Sequence, residues 1–191
     1  MSTLQNKPEM NPVIAEKFCE ACNWAYETWV THKYLFDLNS DPAATIEKKH
    51  VIPFFNRLNI ITHEYALQQI ARLHDPAEQY GDLNLSIKLV VLYGEWGKKE
   101  DDVKVIEKKL NEFWGHTKPA RNKILAHNDL KTSLTNQLLG GFPDGEDDKY
   151  FAALHELVKA VSARWLGKPY VFNDLVQTEV SDFLNVLGKT N

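Results

Sequence analysis

Apolar positions in this chain recur at steps of three and four residues, the period that gathers side chains on one face of a helix. Ile14, Phe18, Ala21, Cys22, Ala25 and Trp29 form the first such stripe. Asn11-Pro12 supplies a cap followed by the residue best tolerated at the first helical position, so a helix is expected from there to about Leu38. Asp41-Pro42 repeats the device and predicts a short helix that stops, or kinks, before Pro53. Phe54, Leu58, Ile61 and Tyr65 then open a long stripe reaching Leu73, a second core helix facing the first.

Asp75-Pro76-Ala77-Glu78 has the form of a capping box, cut short by Gly81. Asn84 to Tyr93 reads as a short apolar helix; its run LVVLY could suit a strand, but no partner strand is evident. Gly94, Gly97 and Lys98-Lys99 predict a solvated turn. Val103, Ile106, Leu110 and Phe113 give the cleanest amphipathic pattern in the chain. Gly115 is expected to break that helix, and Thr117 with Pro119 to start a fresh one. Residues 131–149 predict a polar loop, and Asp148 to Leu166 a further core helix ended by Gly167-Lys168-Pro169. Asn173 caps a last helix through Leu187. These elements predict an all-α, single-domain antiparallel bundle of about six helices over residues 11–191, preceded by a flexible leader at 1–10.

Composition narrows the classes without choosing among them. With 43% hydrophobic and 25% charged residues, the chain has the make-up of a globular domain. No N-terminal apolar run resembles a signal peptide, and no segment nears the roughly 20 apolar residues that span a bilayer; a cytoplasmic protein with no membrane association is expected. Cys19 and Cys22 lack the second pair of ligands that zinc requires, so buried free thiols are expected. The net charge is −4, yet residues 98–131 hold nine Lys/Arg against six acids. That local excess suits a nucleic-acid surface, and a solvated helix face explains it equally well.

The basic excess surrounds the chain's most informative stretch, Lys118 to Asp129, reading KPARNKILAHND. Arg121 in the first turn of a new helix would combine a guanidinium with free backbone amides, a seat for a phosphate. His127 is the titratable neighbour. A six-residue step turns an ideal helix by roughly 240°, so the two side chains do not share a face within one copy. A second copy across a two-fold axis could bring the arginine of one chain to the histidine of the other. Asn122 stands beside the arginine, and the helical neighbours Lys123, Asn128 and Lys131 are candidate substrate-binding residues. The plainer alternative keeps Arg121 and His127 as structural residues. His116, near the expected helix junction, ranks below His127 as a chemical group. His63-Glu64 does not begin a zinc-protease motif, since residue 67 is leucine.

The string RNKILAHND, with ARLHDP and NLSI upstream, resembles the abortive-infection, AbiU-like branch of the HEPN superfamily. The resemblance spans about Ile60 to Leu166. It implies a metal-independent endoribonuclease of toxin type that needs no cofactor. Such a protein would work as a homodimer on RNA, with an antitoxin or other protein as a further partner. Arg121, Asn122 and His127 match the family's arginine, polar position and histidine. The alternative within the family is a noncatalytic module that binds nucleotide, RNA or protein.

Overall fold

The Asn11-Pro12 device works as the sequence suggests. Asn11 Oδ1 accepts the amide of Ile14 at 3.0 Å and Pro12 takes the first helical position, where its missing N–H is no loss. A computed structural model describes residues 9–37, 52–120 and 141–189 of the chain. Helix α1 runs Pro12–His32 and closes in a π-helical turn, Lys33–Asp37. Of the leader, only Glu9 and Met10 are described, and Met10 is buried. The helix expected after Asp41-Pro42 and most of the loop at 131–149 lie outside the described residues. Helix α2 spans Ile52–Leu73 with Pro53 in its first turn. The remaining helices are α3 (Ile87–Tyr93), α4 (Glu100–Ala120), α5 (Glu146–Val161) and α6 (Val176–Lys189). The protein is therefore all-α, as its periodicity predicts.

The chain divides into two compact units. The first holds residues up to Cys22 together with Ala71–Val171; the second holds Asn23–Ile70 and Phe172 onward.

In the first unit α4 and α5 pack along each other. Lys109 meets Glu156 and Phe113 meets Tyr150, so partner numbers fall as α4 advances and the pair runs antiparallel. Leu110, Leu154, Leu157, Val158 and Val161 are fully buried, each stabilising the fold by about 1.5–3 kcal/mol. Cys19 and Cys22 are buried free thiols. Burial, reinforced by Glu16 and Glu20, pushes the Cys19 thiol up to about 12. Both are packing residues and poor nucleophiles at neutral pH.

Four local expectations are corrected in this unit. The capping-box segment forms a two-residue hairpin: β1 (Glu78–Gln79) pairs antiparallel with β2 (Asp82–Leu83). Tyr80 and Gly81 both take positive φ, 55° and 90°, the pattern of a turn whose twist matches the strands. α3 starts only at Ile87, because Ser86 Oγ accepts the Leu89 amide at 3.2 Å and serves as the cap. Gly94 to Lys99 is not simply a solvated turn. Trp96 is buried, donates its Nε1 proton to Val90 O at 3.2 Å and meets Trp165 edge-on. A side chain at Gly94 would collide with the Trp96 ring and the Val90 carbonyl, which is why a glycine stands there.

The fourth correction bears on function. α4 does not break at Gly115; it continues to Ala120 with Pro119 inside it. Thr117 is buried and its hydroxyl donates back to Trp114 O at 3.5 Å, so it is no N-cap. Leu110, Phe113, Thr117 and Ala120 are all buried, an unbroken stripe across the glycine. A glycine inside a helix costs about 1 kcal/mol, less than the burial that the continued stripe secures.

In the second unit, Val30, Leu35, Phe55, Val176, Val180 and Leu184 form the core. α6 packs on the turn at Lys33–Asp37. Its entry is held by Asn173, whose Oδ1 accepts the Leu175 amide at 3.1 Å while its own amide group reaches Glu27. Trp24 bonds Tyr65 and His32 bonds Thr62, so the parts of α1 and α2 in this unit also run antiparallel.

Candidate functional site

Arg121, Asn122, Lys123, His127, Asn128 and Lys131 lie outside the described residues; the structure carries α4 to Ala120, the position before Arg121. The unbroken helix does remove one support for the anion seat. No helix begins at Thr117, so the amides expected to join the guanidinium are not those of a fresh helix start. His116, expected at a junction, sits exposed within α4.

A polar cluster does hold the end of α4 in place. His74, from the ARLHDP segment just past α2, lays its ring on Trp114 with centroids 5.0 Å apart and planes 9° apart. Its Nε2 lies 3.2 Å from the hydroxyl of Tyr150 on α5. Burial pushes the imidazole down to about 4, against an opposing hydrogen bond to Asn111 on α4. The bond to Asn111 favours the charged ring, but burial outweighs it. Burial pushes the Tyr150 phenol well above its usual range. This group is neutral at pH 7, with Tyr150 fully buried beneath a partly covered His74 and Trp114. Its work is to tie the segment that follows α2 to α4 and α5, and not to move protons at pH 7. A histidine at the end of an apolar stripe was the available sequence signal; its partners, 40 and 76 residues away, were not legible.

A histidine pair stands in the second unit. His32, buried, accepts or donates at Nδ1 to the Thr62 hydroxyl over 3.0 Å and stacks on exposed His63, centroids 4.8 Å apart. Burial, reinforced by His63, pushes His32 down to about 4. Among the described residues no group of three or more His, Cys, Asp and Glu converges on a metal position.

The basic excess around α4 is partly answered by acids. Lys104 pairs with Glu100 at 2.6 Å, Lys109 with Glu156 at 3.4 Å, and Glu107 is taken by Lys88 at 3.0 Å. Exposed pairs like these stabilise little, about 0–1 kcal/mol. Lys98, Lys99, Lys108 and Lys118 remain exposed. Among the described residues no helix is long and apolar enough to cross a membrane.

A model of the family described as HEPN AbiU2 matches residues 14–184, a span that includes α1, the ARLHDP segment, α4 and the RNKILAHND string. No curated protein and no solved structure matches the chain. With the match covering nearly all of its length and an all-α fold beneath it, this chain belongs to the HEPN superfamily, in its AbiU2 branch.

Proposed function

We propose that the protein is a metal-independent endoribonuclease of toxin or abortive-infection type, with a composite site built from Arg121 of one protomer and His127 of another. The observation that carries this reading is the string RNKILAHND inside a family match of residues 14–184. The ribose 2′-hydroxyl attacks the adjacent phosphorus. The O2′–P bond forms, the P–O5′ bond breaks, and the 5′-oxygen leaves with a proton. His127 takes the first proton or supplies the second, work suited to an imidazole with an ordinary value near 6.5 and worth about 10²–10⁴-fold.

Arg121 stabilises the charge that grows on the non-bridging phosphate oxygens, worth about 10²–10³-fold. Because α4 runs past Thr117 without a fresh start, this role rests on the guanidinium itself. Asn122 orients the phosphate or the partner's histidine. Lys123, Asn128 and Lys131 bind flanking phosphates, with the exposed lysines of α4 adding a salt-sensitive approach. A homodimer acting on RNA, held in check by an antitoxin or other protein, completes the proposal.

The test is cleavage of a mixed RNA substrate by purified protein in EDTA. Cleavage that falls at least about 100-fold in both Arg121→Ala and His127→Ala supports the reading. Full activity in either variant, or binding of RNA without cleavage by the wild-type protein, overturns it.

A further inference from the structure

Among its described residues the second unit carries an unfilled groove. It has a volume of about 640 Å³ and is lined from α1, α2 and α6 by residues of that unit. α6 spends Val176, Val180 and Leu184 on the core and leaves Phe183, at 49% exposure, on the groove. On α2, Ile61 is 60% exposed, and Trp24 of α1 is 48% exposed beside Tyr65. Trp24 Nε1 donates to the Tyr65 hydroxyl at 3.2 Å. The two polar tips thus satisfy each other, and their ring faces remain for apolar contact.

Spacing says what shape would fit. Phe54, Leu58, Ile61 and Tyr65 stand at steps of four, three and four along α2, a ridge of about 16 Å over three helical turns. Phe54 is exposed and lies beyond the groove lining, so the apolar strip outruns the cavity. A small ligand would cover only part of it. A helix laid alongside, with its own apolar residues at i, i+4, i+7 and i+11, would cover all of it.

Charge says what the flanks of that helix carry. Glu27 and Glu179 line the groove, no Lys, Arg or His does, and neither glutamate has an ion-pair partner among the described residues. Glu27 receives Asn23 and Asn173 on a single oxygen, Oε1. Two carboxylates without a cationic partner among the described residues, set beside aromatic rings, favour an incoming cation.

We propose that this groove is the docking site for a basic amphipathic helix of a protein partner. The helix seats an apolar ridge between α2 and α6, with Lys or Arg on its flanks meeting Glu27 and Glu179. The surface belongs to the second unit alone and does not rest on the Arg121/His127 reading.

The probes are a set of fluorescein-labelled, lactam-stapled helical peptides of about three turns. They carry varied apolar residues at i, i+4, i+7 and i+11 with lysine flanks, each matched to a peptide with glutamate flanks. Fluorescence anisotropy against the full chain is expected to show saturable binding of lysine-flanked peptides, at least about tenfold tighter than their glutamate partners. Glu27→Gln with Glu179→Gln, which keeps every acceptor oxygen at Oε1, is expected to erase that tenfold preference. Ile61→Asp with Phe183→Asp abolishes binding while circular dichroism stays unchanged. The proposal is overturned if no lysine-flanked peptide binds, or if both charge types bind alike. It is equally overturned if a simple alkylammonium displaces the peptide completely, or if sedimentation shows a dimer of this chain that Ile61→Asp dissolves.

Discussion

The two units use the same helical grammar and spend it differently. In the first, α4 and α5 each bury an apolar stripe, down to fully covered Leu110, Leu154 and Leu157. In the second, α2 and α6 build a smaller core and leave Phe54, Ile61 and Phe183 outside it. Their histidines carry the same contrast. His74 and His32 are both pushed to about 4, yet an opposing bond to Asn111 tempers the first, whereas exposed His63 deepens the second. The first unit carries the clamp at the end of α4, and the second carries an apolar groove.

The sharpest way to break that contrast is to cut the clamp. Phe113 lies between Phe142 and Tyr150, 4.8 Å from each ring. Phe113→Ala is expected to lower stability by about 3–5 kcal/mol in urea unfolding. A loss below 1 kcal/mol would show that the first unit is not tightly packed.

Acid separates the two histidines next. Both have an ordinary value of 6.5 and a folded value near 4. Between those limits the unfolded chain takes up protons that the folded chain refuses, so stability is whole above pH 6.5 and falls as the pH drops toward 4. For His74 the loss reaches about 3 kcal/mol at pH 4. His63→Gln should move the His32 titration part of the way back toward 6.5 and leave His74 where it is, as followed by the imidazole proton resonances. Equal movement of both would contradict the separate causes.

Smaller effects complete the series. Ser86→Ala removes the hydroxyl that caps α3 and should cost about 1 kcal/mol in thermal or urea unfolding. Ile61→Ser, on the open face of the second unit, should change stability by less than about 0.5 kcal/mol. If it destabilised as much as Phe113→Ala, the face would be core and the groove reading would fail.

Much of the fold was legible because its signals are periodic and local. The stripes of α1, α2, α5 and α6 and the Asn11, Asn173 and Gly167 punctuation place those elements to within a few residues. The start of α3, the hairpin at 78–83 and the continuity of α4 depart from the local pattern for separate reasons. Thr117-Lys118-Pro119 and Asp75-Pro76-Ala77-Glu78 both have the local chemistry of helix starts, and Ser86 caps α3 two residues after the start expected at Asn84. Buried Leu110, Phe113, Thr117 and Ala120 extend the stripe through Gly115, and Tyr80-Gly81 suits a tight turn better than a helix. Of the candidate site, the family and the string that carries it were legible in the sequence. The His74–Tyr150–Asn111 clamp was not, since long-range partners leave no mark on local pattern. The site residues themselves, Arg121 through Lys131, lie beyond what the structure describes.

The central claim is that arginine and histidine act across two chains. Mixing unfolded Arg121→Ala and His127→Ala protein in equal amounts and refolding them together tests it most directly. Half the dimers then pair one variant with the other, and each such dimer contains a single site with both native residues. RNA cleavage in EDTA should recover to about a quarter of the wild-type rate, although each variant alone is inactive. A mixture as inactive as its parents, beside active wild-type protein, would contradict the account.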